Sequence, residues 1–171
     1  MRVFLAAIST LLTACASAPE SYPVPPQHDA APPPERLVQA DYVRADDPGA
    51  DGYFIKDVTA LEGSFRWALA NPKLRFLLTK TENRSFQLEF AVNPLVLEKA
   101  GPLELTVLVN DHALATIRHA SAGDKVFRKE VPPSWLLPNT ENLVEIRVHS
   151  PWTAPDGVQL GFVFRGAGFI E

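Results

Sequence analysis

The chain of 171 residues carries 16 Lys and Arg against 20 Asp and Glu, a formal net charge of -4 with a pI of about 5.6. Nucleic-acid binding requires concentrated Lys and Arg, so this balance argues against a nucleic-acid partner. No apolar run reaches the roughly eighteen residues typical of a transmembrane helix, and a single cysteine excludes an internal disulfide. The composition therefore predicts one folded domain preceded by targeting sequence.

The first segment has the features of a secretory signal. Arg2 supplies a positive charge, residues 3–12 form a short apolar stretch, and Leu-Thr-Ala-Cys follows up to Cys15. This pattern resembles the lipobox of bacterial lipoproteins. The resemblance implies that residues 1–14 are cleaved as a signal peptide and that Cys15 carries a diacylglycerol thioether together with further acylation, palmitate included. The alternative is a plain signal peptide with a chance cysteine.

The same resemblance implies a location. Ala16 follows Cys15, whereas Asp at that place is the usual signal for retention in the inner membrane of a Gram-negative cell. We therefore expect an outer-membrane lipoprotein, facing the periplasm or the cell surface. Stable anchoring needs two or more acyl chains, a requirement that this acylation pattern meets.

Residues 15–50 are predicted to form a tether. Seven prolines lie between Pro19 and Pro34, and such a segment favours an extended, semi-rigid spacer over a folded core. A Pro-x-x-Pro ligand at residues 23–26 is the alternative function of this stretch. The folded body is expected to occupy residues 51–171.

Alternation of apolar and polar residues with period two runs through the body and predicts strands. No segment shows a convincing helical period. Turn residues separate about nine short strands, which predicts an all-β sandwich or barrel. The strong predicted strands are 84–92, 103–109, 144–148 and 158–164; the weaker ones are 53–58, 64–69, 74–79, 113–119 and 125–131.

Two local features are predicted between these strands. Asn110 and Asp111 suit a tight hairpin turn because both residues tolerate positive φ. Residues 132–137 are expected to form a short helical turn in which Trp135 plugs one end of the sandwich.

The order of several motifs between residues 86 and 170 resembles that of galactose-binding-domain-like jelly rolls, the fold of many carbohydrate-binding modules. The resemblance implies a jelly-roll β-sandwich, and glycan binding by analogy of fold. Asp111 departs from the pattern, in which glycine is usual. The motifs are Leu105 to Asp111, Val131-Pro132 with Trp135-Leu136, Glu141 to Ile146, Ser150-Pro151 and Leu160-Gly161-Phe162.

No familiar enzyme motif is present, and we expect neither catalysis nor a cofactor. His112 and His119 are expected on opposite faces of one strand, which argues against a metal site that they would share with His149. The adjacent acids Asp46 and Asp47 are expected to be solvated loop residues.

Sugar recognition commonly stacks a pyranose ring on an aromatic side chain, so the three tryptophans are candidates. Trp67 shares strand parity with Phe65 and Leu69 and is expected in the core, and Trp135 is expected to be the plug. Trp152 lies in a loop and is the best candidate for an exposed ring. The predicted ligand-binding residues are therefore Trp152, Asp156, Asn110 and His149.

These observations favour a lipid-anchored envelope protein whose sandwich domain binds a glycan or envelope polysaccharide without turnover. The alternative is a scaffold or assembly subunit that docks another envelope protein and has no small-molecule ligand. A hydrolase with an unrecognised site is the least favoured hypothesis.

Overall fold

The computed structural model describes residues 40–171. Strands make up more than half of this part of the chain and almost all of its regular secondary structure, which confirms the predicted all-β class. No helix in it is long and apolar enough to cross a membrane. The elements are β1 Tyr42–Arg44, β2 Phe54–Val58, β3 Arg66–Leu77, β4 Ser85–Val92, α1 Pro94–Ala100, β5 Leu103–Val109, β6 His112–His119, β7 Gly123–Glu130, β8 Glu141–Val148, β9 Trp152–Thr153, β10 Gln159–Leu160 and β11 Phe162–Ile170, with 3-10 turns at Ala50–Tyr53 and Pro133–Trp135.

The strands form a jelly-roll β-sandwich, as expected. The order is β6-β5-β8-β3-β11-β4-β7, with β1 added to β11 and β2 added to β3. β3 belongs to both layers, because residues 73–77 pair with β8 and residues 66–68 pair with β11. The continuous sheet thereby folds over on itself. The short hairpin of β9 and β10 forms a separate two-stranded sheet.

Phenylalanine rings fill the space between the two layers. Phe169 packs edge-on against Phe76 at 5.5 Å and against Phe86 at 5.6 Å, and Phe90 packs in the same way against Phe162. These side chains are essentially inaccessible to solvent. The inward positions of β4 and β5 are those that the period-two pattern predicted.

Two predicted strands, 64–69 and 74–79, are one strand in the structure. Asn71-Pro72 was expected to break the chain, but it lies where β3 leaves β11 and joins β8. β2 also has a register irregularity beside it. Because no ladder hydrogen bond is required at that point, the missing N–H of Pro72 is tolerated there.

One α-helix, α1 at residues 94–100, is present although no segment of the sequence shows a convincing helical period. The Asn93 side chain accepts a hydrogen bond from the Leu95 N–H at 2.8 Å, Pro94 lies in the first turn, and Gly101 ends the helix at φ 83°. These are capping signals. Seven residues make less than two turns, too short for a visible helical period.

The folded sheet includes residues that were predicted to belong to the tether. β1 pairs with β11 through Tyr42–Gly168, Val43–Ala167 and Arg44–Gly166. Val43 is buried, so this strand contributes to the core before residue 51. Residues 1–14 and Cys15 lie outside the described residues, as does the proline-rich segment.

Candidate functional site

The outer face of the layer β1, β11, β4 and β7 carries side chains in regular rows. One row places Arg44 beside Gly166, Glu89 and Val126 on successive strands. The next row holds Tyr42, Gly168, Gln87 and Arg128. Because two of the β11 positions are glycines, β1 approaches closely: a Cβ on Gly166 would lie 2.6 Å from the Tyr42 hydroxyl oxygen.

A groove of about 380 Å³ lies on this face. A β-bulge between Phe164 and Gly166 leaves Arg165 outside the regular pairing of β11 with β4, and its guanidinium reaches the groove. Bulges commonly redirect a side chain beside a functional site. The groove is lined by Arg44, Glu89, Phe90, Asp124, Lys125, Val126 and Arg165.

The groove offers hydrogen-bond donors that no neighbour uses fully. The Arg44 guanidinium makes no hydrogen bond or ion pair with another residue of the part 40–171. Arg165 Nε lies 4.0 Å from Asp124 Oδ1, a long contact to a carboxylate that is 83% exposed. Between them, Glu89 Oε1 accepts a hydrogen bond from Gln87 Nε2 at 2.9 Å. The site therefore presents two available cationic donors beside one carboxylate acceptor.

Tyr42 lies against the floor of this region. Burial raises the pKa of the Tyr42 hydroxyl well above its usual range, and the nearby Glu89 carboxylate raises that pKa further. The phenol therefore stays protonated to a more alkaline pH than a free tyrosine would. Its oxygen is buried and makes no hydrogen bond within residues 40–171.

An aromatic shelf, formed by Phe65 and Trp67, adjoins the groove. The two rings meet edge to face at 6.4 Å, and the Arg165 guanidinium lies 5.7 Å from the centre of the Phe65 ring. Trp67 pairs with Val163 on β11, and Val163 pairs with Ala91 on β4. These three side chains lie on the face of the sheet that points away from the core. Both shelf rings are partly exposed.

The prediction that Trp67 lies in the core was therefore wrong. Arg66 points inward instead, donating from Nε to the Ala45 carbonyl at 2.8 Å and from Nη1 to Asp51 Oδ1 at 2.7 Å. Because Arg66 faces inward, its neighbours Phe65 and Trp67 face outward, the reverse of the orientation that the aromatic residues suggested. No signal in the sequence distinguishes Arg66 from an ordinary exposed arginine.

Asn110, a predicted ligand contact, uses its side-chain amide within the fold. Its Nδ2 donates to the Trp135 carbonyl at 2.7 Å and to Asn142 Oδ1 at 2.9 Å, and its Oδ1 accepts from the Leu143 N–H at 2.7 Å. It occupies the predicted tight turn, with φ 46° at Asn110 and 65° at Asp111. The amide thus joins the β5–β6 hairpin to the start of β8.

The other predicted ligand residues lie elsewhere. His149 directly follows β8, and its Nε2 forms a hydrogen bond with Thr106 Oγ1 at 2.8 Å. Asn110 contacts Leu143, near the opposite end of β8 and six residues earlier in the chain. Trp152 is partly buried in β9 opposite Leu160, and Asp156 accepts from the Val158 N–H in the hairpin turn. The structure places Trp152 and Asp156 in one hairpin but does not bring Asn110 to them, and none of the four lines the groove.

The histidines do not form a cluster. His112 and His119 pair with the inward residues Val109 and Leu103, so the two histidines lie on the same face of β6. They were expected on opposite faces, but a β-bulge between them shifts the alternation of β6 by one residue. His112 stacks on Trp135 at 4.8 Å, which covers the predicted plug, while His119 lies against Phe90 at 5.3 Å. Among residues 40–171 no three His, Cys, Asp or Glu side chains could hold a metal ion together.

The predicted acidic loop is a turn. Asp46 is exposed, and Asp47 Oδ2 accepts a hydrogen bond from the Arg44 N–H at 2.7 Å. The carboxylate of Asp47 thus fixes the chain as it leaves β1, beside the groove.

No protein-family model matches the chain, and no curated protein sequence matches it. Among solved structures, the chain is similar to a family 35 carbohydrate-binding module from an environmental isolate, with a TM-score of 0.52 and 10% sequence identity. The similarity covers 76% of this chain and 92% of the module. At this identity it establishes the shared jelly-roll fold.

Proposed function

We propose that this chain is a lipid-anchored envelope protein whose jelly-roll domain binds a glycan, without turnover, in the groove between Arg44 and Val126. The observation that carries the proposal is the pair of available guanidinium groups, Arg44 and Arg165, flanking Glu89 on a sheet face that also presents partly exposed aromatic rings. Guanidinium forks bind hydroxyl and carboxylate oxygens, and Glu89 accepts hydroxyl protons. The fold shared with a carbohydrate-binding module supports this assignment by analogy.

Binding without catalysis fits the groove better than hydrolysis does. Its lining carboxylates are Glu89 and Asp124. Asp124 is 83% exposed at the rim, whereas the general acid of a glycoside hydrolase usually lies in surroundings that withdraw it from water.

The groove assignment is tested by affinity electrophoresis of the full chain, kept soluble by a non-ionic detergent, through gels containing peptidoglycan glycan strands, alginate, xylan or mannan. We expect retardation by at least one polysaccharide, and its loss when Arg44→Gln and Arg165→Gln are combined. Arg118→Gln is the matched control, because Arg118 is an exposed arginine on β6 in the other layer. Retardation that persists in the double variant would assign binding to another surface, of which the Trp152 hairpin is the first to examine.

The anchor is tested separately with the full chain. We expect Cys15→Ser to move the protein from the membrane fraction to the soluble fraction, because the thioether can form only on that sulfur. Equal sedimentation of the variant and the wild type would contradict lipid anchoring. The outer-membrane location is tested by density-gradient separation of the two membranes, and inner-membrane recovery would contradict it.

One observation favours the scaffold function as the second candidate. β7 pairs only with β4 among the described strands, its register is regular over eight residues, and Val126 on it is 65% exposed. A regular free edge can accept a strand from another protein. Stoichiometric recovery of one envelope protein, together with no response to any polysaccharide, would favour this alternative.

A further inference from the structure

The groove and the aromatic shelf lie on one side of the same sheet and are joined by Arg165. Resting on the proposed function, we infer that they form one track that binds internal sugar residues of a linear glycan chain, running across the strands from Trp67 to Val126. Such a site recognises a chain and not its end.

The surface of the track is longer than one sugar ring. Trp67 lies on β3, Arg165 on β11, Glu89 on β4 and Val126 on β7, which are successive neighbours in the sheet. Three interstrand spacings of about 4.8 Å make the track roughly 14 Å long. A single sugar ring cannot contact both ends of such a surface.

Apolar and polar groups alternate along the track. The Phe65 and Trp67 rings offer apolar faces at one end, and the Arg165 guanidinium lies 5.7 Å from the Phe65 ring, at the junction with the groove. Arg44 and Glu89 supply polar contacts in the middle. Val126 supplies an apolar surface at the far end. Sugar rings present both C–H faces and hydroxyl groups, so consecutive rings of a chain can stack on the apolar groups and form hydrogen bonds with the polar ones.

Both ends of the track are open. Val126 is 65% exposed and lies on β7, beyond which the described residues place no strand. Phe65 and Trp67 are themselves partly exposed at the other end. In the middle, Gly166 and Gly168 add no side chains, and Tyr42 lies flat against Gly166. A chain can therefore enter at one end and leave at the other.

The experiment takes the polysaccharide that retards the full chain most in the gels above and prepares oligosaccharides of one to six residues from it. Calorimetric titration should show affinity rising about tenfold or more from one residue to four. A tetrasaccharide whose reducing end has been converted to the alditol should bind within about twofold of the unmodified one. A monosaccharide that binds as tightly as the tetrasaccharide, or loss of binding on reduction, would overturn the inference while leaving glycan binding intact.

Variants of the shelf provide the second measurement. Trp67→Ala should lower tetrasaccharide affinity about tenfold while changing monosaccharide affinity less than about twofold, and Phe65→Ala provides the same test if the first variant does not fold. Trp152→Ala, on the β9–β10 hairpin, is the tryptophan control and should bind normally. Unchanged tetrasaccharide affinity in folded shelf variants would exclude the shelf from the track. If no polysaccharide retards the wild-type chain, the proposed function fails and this inference fails with it.

Discussion

Arg84 Nη2 lies 2.6 Å from Asp41 Oδ2, and this ion pair joins the residue before β4 to the residue before β1. The Arg84 side chain is 7% exposed and that of Asp41 is 28% exposed, so the pair is largely withdrawn from water. Because β1 carries Tyr42 and Arg44, the pair holds one side of the groove in place.

We expect Arg84→Gln to destabilise the domain by about 2 to 4 kcal/mol, since it leaves the Asp41 carboxylate partly buried without its partner. Urea unfolding followed by tryptophan fluorescence gives the change. Lys99→Gln is the control, because that lysine and its partner Glu98 are 49% and 68% exposed and exposed pairs contribute about 1 kcal/mol or less. Equal effects of the two variants would contradict a special role for Arg84.

Asn110 is predicted to matter for stability through its amide. Asn110→Ala should lower the free energy of unfolding by about 2 to 4 kcal/mol, because it removes three hydrogen bonds. Alanine would also keep the positive φ of this position without the side-chain hydrogen bonds that stabilise asparagine there. Asn110→Gly should cost about 1 kcal/mol less, since glycine accepts the backbone conformation. Asp111→Gly should be neutral or slightly stabilising for the same reason. Thermal unfolding of the three variants gives the order, and an Asn110→Ala variant as stable as the wild type would contradict the structural role.

Gly168 is predicted to be required for the close approach of β1 to β11. A Cβ there would meet the Asp41 carbonyl oxygen and the Tyr42 Cα, so Gly168→Ala should destabilise the domain by about 1 to 3 kcal/mol. Hydrogen exchange should show faster exchange confined first to residues 42–44. Gly63→Ala, where no atom lies within 4 Å of the added Cβ, should show only the cost of its positive φ and unchanged exchange in β1.

Glu145 makes stability depend on acidic pH. Its pKa is lowered from 4.5 chiefly by the hydrogen bond from Arg147, helped by the charges of Arg147, Lys73 and Lys56 and opposed by burial. A carboxyl whose folded pKa lies below its unfolded pKa stabilises the fold fully above the unfolded value, and this contribution is lost as pH falls through the folded value. Glu145→Gln should therefore reduce the difference in unfolding free energy between pH 7 and pH 3. Glu98→Gln, at a side chain 68% exposed on α1, should leave that difference unchanged.

The sequence by itself determined the all-β class and the inward residues of β4, β5 and β8, because strands with one buried face must alternate with period two. It also located the tight turn at Asn110 and Asp111, where the residue types tolerate positive φ. The capping residues of α1 were readable as well, although they were interpreted as turns. The lipidation of Cys15, which lies outside the described residues, stays a prediction from the lipobox pattern.

Only the tertiary structure decided the candidate site. Arg44, Glu89 and Arg165 are distant in the chain and become neighbours through antiparallel register, and a one-residue bulge turns Arg165 toward the groove. The exposure of Trp67 depends on Arg66 finding acceptors in the segment 45–59, because a buried guanidinium is stable only when paired. Such pairings between remote segments cannot be predicted from local alternation. The alternation shows that a segment is a strand, but it does not show which remote residues will contact each face of that strand.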